Sequence, residues 1–443
     1  MVFQARFQTG GRTDIVLPMS FAPKVVNLSG LKVILVKDDR ESVVVQTLVG
    51  TGSREETDAT AGSAHFLEHF VFKGTKKFPG MFDISDAIDE VGGGRNAFTS
   101  NHVVGFWAKT AKHKLDLAVK VVGQLVTEPL LPAKHFDKER GTILEELRMY
   151  EDLPDSKAFE ESWKSLFGKT NLGRPIIGTE KSLQEMKLDY LHDYMNKWFL
   201  PENMLVGVVG NWGRDQELLS LIEREFAGII GKKKAGVPSK DTFEWKVQTK
   251  PKMTLISRKT EQANLSIGLP GLPIGHPGRW AMYLANIILG GGGLSRLFKE
   301  VREKRGWAYS IGSGTESFAD AGAVLVGGGL PKNKLADAVG LIGEIMWGIG
   351  GKGKYGITAK DLAIAKECYK GRVSLAYDDP KKVMDFALNE MMFEGKIYTP
   401  EEIKANADKV TLEEIRDYCQ VIFRPEKLAL AVVGDYEKLP FEI

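Results

Sequence analysis

One short pattern in this chain is written twice, 224 residues apart. Asp193-Tyr194, Phe199, Pro201-Glu202 and Val208-Val209-Gly210 return in the same order as Asp417-Tyr418, Phe423, Pro425-Glu426 and Val432-Val433-Gly434. In each copy a helical pattern stops near the proline. An apolar run then follows, 204–209 or 428–433, and closes on glycine, which reads as a buried strand ending in a turn. Agreement in residue type and in element order points to an internal duplication, hence to two homologous halves of similar size. The length of 443 residues also exceeds what one ordinary core serves. The junction is expected where Gly231-Lys232-Lys233-Lys234-Ala235-Gly236-Val237-Pro238-Ser239 has loop composition and no apolar period. This gives an N-terminal domain over 1–230, a linker over 231–242 and a C-terminal domain over 243–443.

Each half mixes strands and helices. In the first, 25–28, 32–37 and 42–49 read as a meander of strands, and 61–72, 83–91, 113–126 and 132–151 as helices. In the second, strands are expected at 254–257, 262–268, 307–315 and 323–327, with helices at 280–289 and 295–304. Adjacent strands followed by grouped helices favour an α+β fold, an antiparallel-rich sheet with helices packed on it in each half, over a doubly wound sheet.

The bulk numbers exclude several function classes. A net charge of +2 with 43% hydrophobic residues gives no sign of nucleic-acid or anionic-membrane partners. No apolar stretch approaches membrane-spanning length, so no membrane insertion is expected. Two cysteines, Cys368 and Cys419, cannot form a disulfide framework, and 1–14 lack the apolar core of a secretory signal. A cytoplasmic location fits best, with a mitochondrial matrix or periplasmic location of a processed chain left open.

The chemistry concentrates in His65-Phe66-Leu67-Glu68-His69. Histidines four apart on a helix project from one face and can share a metal ion. Glu68, beside them, is placed to take a proton from water at that metal. The order H-x-x-E-H inverts the commoner zinc-protease motif. A third ligand is expected from Glu139-Arg140-Gly141-Thr142-Ile143-Leu144-Glu145-Glu146. Glu139 and Glu146 lie two helical turns apart and share a face, so one could ligate while the other supports a histidine through its second ring nitrogen. Spacing alone does not choose between Glu145 and Glu146.

The stretch Gly62-Ser63-Ala64-His65-Phe66-Leu67-Glu68-His69-Phe70-Val71-Phe72-Lys73-Gly74-Thr75 resembles the pitrilysin (M16) family of zinc peptidases, in the M16B branch that includes the active subunit of the mitochondrial processing peptidase. That family carries its third ligand in a helix reading E-R-x-x-I-x-x-E. The resemblance implies His65, His69 and Glu146 as ligands of one Zn2+ per chain, Glu68 as base and Glu139 as the carboxylate behind a ligand. It also implies that Arg302 and Tyr309, at R-x6-Y spacing, anchor the substrate carbonyl and donate to the oxyanion. Arg302 would end a helix, Gly306 would turn, and Tyr309 would lie on the next strand. Trp307 departs from the smaller residue that many relatives carry. Asn96, Ala97 and Phe98 match a strand that adds the peptide to a sheet edge, with Phe98 lining a side-chain pocket.

The second half carries no counterpart of the zinc motif: 224 residues beyond it stands the glycine run 290–293, read as a turn entering the next helix rather than a phosphate loop. In family members of this length the Arg–Tyr pair usually reaches the zinc of a second subunit. The resemblance therefore implies a homodimer forming a clam-like chamber for unfolded peptides, with a heterodimer beside an inactive M16 subunit as the alternative. A presequence-processing peptidase and a non-catalytic structural subunit are the competing functional readings.

Overall fold

The computed structural model describes residues 21–230 and 248–442; the expected linker and the N-terminal segment 1–14 lie outside the described residues. The first half contains strands β1 (Lys24–Leu28), β2 (Leu31–Lys37), β3 (Ser42–Val49), β4 (Gly94–Thr99), β5 (Val104–Ala111) and β6 (Met204–Gly210). Its helices are α1 (Ser63–Phe70), α2 (Asp83–Asp89), α3 (Leu115–Thr127), α4 (Ala133–Asp152), α5 (Pro154–Phe167), α6 (Glu180–Gln184), α7 (Leu188–Trp198) and α8 (Asp215–Glu225). The second half contains β7 (Lys252–Ser257), β8 (Gln262–Pro270), β9 (Ile311–Ser317), β10 (Gly322–Pro331) and β11 (Ala429–Gly434). Its helices are α9 (Arg279–Leu289), α10 (Leu335–Gly348), α11 (Ala359–Ala376), α12 (Pro380–Glu394), α13 (Pro400–Lys409) and α14 (Leu412–Ile422).

The first sheet runs β1-β2-β6-β3-β5-β4 and the second β7-β11-β8-β10-β9. All neighbours are antiparallel except β2 with β6 and β7 with β11. The expected α+β class and duplication stand. The expected meander does not: β6 inserts between β2 and β3. Its seven residues are all buried, so it takes a central place with both faces covered, and β3 is nearly as buried. The spacing between the copies also varies. Gly210 pairs with Lys37 and Gly434 with Ser257, a separation of 220 residues at these outer partners rather than 224. Between β8 and β9, where the first half places α1, the chain carries α9. The counterpart of the histidine helix is therefore α9, not the glycine run that follows it.

Each half lends a helix to the other. On the first sheet, α1, α3, α7 and α8 cover one face around Phe66, Val122, Leu191 and Ile222. The opposite face is covered by α12 of the second half, whose Val383, Met384, Ala387 and Leu388 pack on Ile34, Val44, Leu48 and Val209. Gly207 lets α12 approach this closely, because a Cβ there would stand 2.1 Å from Met384 Sδ. Reciprocally, α5 lies on β8 and β11 of the second sheet, with Leu166 and Phe167 against Phe318, Ala323 and Ala429. A half-buried ion pair adds to the seam: Arg54 donates to both carboxylate oxygens of Asp320 at 2.9 and 2.8 Å.

This exchange makes the halves one folding unit. Leu388→Ala should cost about 2–5 kcal/mol by loss of packing and the cavity left behind. Urea unfolding followed by tryptophan fluorescence and by far-UV circular dichroism should show one coincident transition, shifted to lower urea. Two separated transitions in the wild type would contradict the exchange.

Candidate metal centre

Helix α1 is short, and its two faces are cleanly divided. Ser63, Ala64, Phe66, Leu67 and Phe70 are buried, leaving His65, Glu68 and His69 on the other face. Its start is set by backbone contact: Gly62 has φ +92°, and a Cβ there would lie 2.6 Å from the Ile177 carbonyl oxygen. Gly62 offers no capping side chain. Glu56 takes that role from six residues upstream, accepting from the N–H of Gly62 at 2.8 Å and of Ala64 at 2.7 Å.

Phe66 and Phe70 then fix α1 against α4. Their ring centroids lie 4.9 and 5.7 Å from that of Phe136. From Phe136 the buried face of α4 continues through Glu139, Ile143 and Leu147, which turns Glu139 and Glu146 toward the histidines. Glu146 Oε2 lies 3.5 Å from His69 Nε2 and 3.8 Å from His65 Nε2. One ligand atom from each of the three lies within 4.8 Å of the others, the one such His/Cys/Asp/Glu group among the described residues. Glu145 points to solvent and pairs with Arg148 at 2.5 Å, so the geometry resolves the choice that spacing left open.

Glu139 sits behind the group. His69 Nδ1–H donates to Glu139 Oε1 at 3.2 Å, and Lys73 Nζ reaches Oε2 at 2.8 Å. Burial opposes ionisation of Glu139, but the His69 and Lys73 hydrogen bonds outweigh it and hold the carboxyl below its usual range. With Nδ1 donating to Glu139, Nε2 is the nitrogen that faces Glu146. Burial lowers the His69 pKa, but the Glu139 hydrogen bond with the surrounding carboxylates outweighs burial and raises it. Burial, then the neighbouring His69 charge, lowers His65 to about 3, so its imidazole is neutral at ordinary pH. Glu68 is held by Thr99, whose hydroxyl donates to Oε2 at 2.6 Å. Burial raises the Glu68 pKa despite that bond and His69, and the Glu146 charge adds to the rise.

Thr99 places β4 beside the centre, at the outer edge of the first sheet. Alternation sends Ala97 to the α1 side and Phe98 to the opposite side. Asn96 is exposed, and its Oδ1 accepts from the Ala97 N–H at 2.9 Å. Phe98 packs against α12, with Lys381 Nζ 5.5 Å from its ring.

Arg302 and Tyr309 meet each other but not this centre. The Arg302 guanidinium lies 5.4 Å from the Tyr309 ring and 4.7 Å from Phe298, at the end of a π-helical turn, Phe298–Glu303. Tyr309 precedes β9 rather than lying on it, because Gly306 (φ +63°) and an irregular stretch delay the strand to Ile311. Its side chain is 83% exposed. Sequence reading missed Glu56, Lys73 and Thr99 as supports. Only Thr99 left a signal, as the last residue of the N-A-x-T strand.

Burial lifts Glu56 to about 8 against its two backbone donors and Arg174. Its folded pKa therefore exceeds the unfolded one, and the folded chain retains a proton the unfolded chain gives up. This contribution is fully present below the unfolded carboxylate pKa and is lost as pH rises through about 8. Thermal melts of apo protein should show Glu56→Gln with a flatter loss of stability than wild type over that window. An identical slope in both would contradict the assignment. Glu56→Ala should lose about 1–2 kcal/mol through the uncapped helix start.

Residues 32–180 match the family model described as insulinase (peptidase family M16), and residues 185–368 match the M16 inactive domain. A protein of Mycobacterium leprae named an uncharacterized zinc protease is 34% identical over 398 residues, covering 89% of this chain and 87% of its own length. A similarly named protein, YmxG of Bacillus subtilis, is 32% identical over 413 residues, covering 93% and 98%. The fold is similar to the crystal structure of a protease from Helicobacter pylori, with TM-score 0.85 at 19% identity over 93% of this chain and 99% of that one. A Pseudomonas fluorescens structure described as a peptidase M16 inactive domain gives TM-score 0.83 at 19% identity over 95% and 100%. With a duplicated fold, one three-residue centre on its first half and relatives of this identity along nearly their whole length, the chain belongs to the M16 family of peptidases.

Proposed function

We propose that this chain is a zinc-dependent metalloendopeptidase that cleaves unfolded peptides as a homodimer. The observation that carries the reading is the convergence of His65 Nε2, His69 Nε2 and Glu146 Oε2 on one point. Ligands of a tetrahedral zinc at about 2.0–2.1 Å stand roughly 3.4 Å apart, which the 3.5 and 3.8 Å separations approach. Two imidazoles and one carboxylate are the donor set of hydrolytic zinc sites, which keep a fourth position open. Zinc held there would polarise the scissile carbonyl and lower the pKa of the attacking water.

The protein's own groups do the rest. Glu68 takes the proton of the attacking water and returns it to the leaving amine. Thr99 aims its carboxylate, and burial raises its pKa toward working pH, which favours both transfers. Glu139 and Lys73 hold His69 in one tautomer and orientation. The peptide adds to the open edge of β4 through main-chain hydrogen bonds along the Asn96–Ala97 stretch, taking over the Ala97 N–H that Asn96 Oδ1 accepts from in the free chain, which favours extended, unfolded substrates. Arg302 and Tyr309 anchor the carbonyl and the developing oxyanion. Because they lie apart from the chain's own centre and Tyr309 projects into solvent, they act on the centre of a second copy across a shared chamber.

Glu68→Gln should retain zinc, measured by plasma mass spectrometry, and lose about 10²-fold or more in cleavage of a quenched fluorescent peptide. Equal cleavage by both proteins would sink the mechanism. Tyr309→Phe should lose about 10²–10³-fold in kcat. Mixing Glu68→Gln with Arg302→Ala chains should recover activity that neither has alone. No recovery, with mixed dimers demonstrated by mass spectrometry, would contradict sharing between subunits.

A further inference from the structure

The second half keeps a cavity where the first half keeps its metal centre. The buried positions of α9, namely Ala281, Met282, Leu284, Ala285, Ile288 and Leu289, repeat the spacing of Ser63, Ala64, Phe66, Leu67, Phe70 and Val71. Tyr283 thus stands for His65, Asn286 for Glu68 and Ile287 for His69. On α11 the buried Leu362, Ala365 and Val373 repeat Phe136, Glu139 and Leu147, which puts Arg372 at the place of Glu146. These four counterparts, Tyr283, Asn286, Ile287 and Arg372, all line one cavity of about 870 Å³.

Its chemistry has changed from polar to aromatic. Tyr283 and Tyr369 stack at 6.1 Å, and Trp280 meets both edge-on. Leu375 and Phe386 at the rim are 71% and 39% exposed, apolar surface left uncovered. Among the lining charges Arg279 pairs with Glu394 at 3.0 Å, and Glu316 and Glu390, both with pKa values raised by burial, stand against Arg372 and Lys382. The first half contributes Ser100 and His102 to the wall. Ser100 directly follows Thr99, the residue that holds Glu68, so the cavity opens where β4 ends.

We propose that this cavity is a subsite for a bulky apolar or aromatic side chain of the peptide extended along β4. The proposal rests on the peptidase reading above. A strand paired to β4 that continues past Thr99 leads to the cavity, and burying one large side chain there strengthens binding without touching the reacting atoms.

The test uses two sets of quenched peptides with one scissile sequence. In the longer set a single phenylalanine is moved along the chain on either side of the scissile bond; the truncated peptide carries none. Wild type should show one position at which phenylalanine lowers KM about tenfold. Ala376→Trp, which fills the cavity, and Phe386→Ser, which removes its apolar wall, should abolish that gain. Both should leave kcat and the truncated peptide unchanged. A gain that survives both variants, or a dimer lost on sedimentation in Phe386→Ser, overturns the subsite, the latter marking the cavity as a contact between copies. If zinc-loaded wild type cleaves no peptide, the peptidase reading fails separately. Anisotropy of the labelled long peptide then decides: binding weakened by Phe386→Ser supports the cavity, and no binding overturns it.

Discussion

The contact of Phe66 and Phe70 with Phe136 is what the centre depends on. A metal site built from two helices needs their separation fixed to a fraction of an ångström, and hydrogen bonds to the ligands cannot supply that alone. Three buried rings with centroids 4.9–5.7 Å apart lock α1 to α4 on the side away from the ligands. The helical repeat then carries each polar group to its place: His65, Glu68 and His69 on one helix, Glu139 and Glu146 on the other. Glu139 is affordable in this core because both its oxygens have partners.

The rest of the molecule holds that pair of helices still. The first sheet is covered by α12 from the second half and the second by α5 from the first, so neither half presents a complete core without the other. Arg54 pairs with Asp320 across the seam, two residues before Glu56 closes the start of α1. The second half is therefore structurally tied to the centre, although His65, His69 and Glu146 all belong to the first.

Much of this was legible in the chain. The repeated Val-Val-Gly strand announced the duplication, and H-x-x-E-H with E-R-x-x-I-x-x-E announced the three converging residues. What was not legible has identifiable causes. Strand order depends on which strand is apolar on both faces, and β6 lies far along the chain from the strands it separates. The face on which Phe98 sits follows from register, which one residue inverts. Glu56 reaches α1 through a loop whose path no local pattern encodes. Apolar and aromatic residues at 307–309 have the composition of a strand, but Gly306 and its surroundings keep them irregular and β9 begins at Ile311. The equivalence of α9 with α1 lies in their matching places in the strand order and in their buried positions, which a constant 224-residue offset misses.

X-ray absorption at the zinc edge of the purified protein tests the central claim most directly. The account predicts a first coordination sphere of nitrogen and oxygen at about 2.0–2.1 Å, with two imidazole scattering patterns and no sulfur. His69→Ala should reduce the imidazole contribution or abolish binding. A sphere containing sulfur, or one unchanged in His69→Ala, would contradict it.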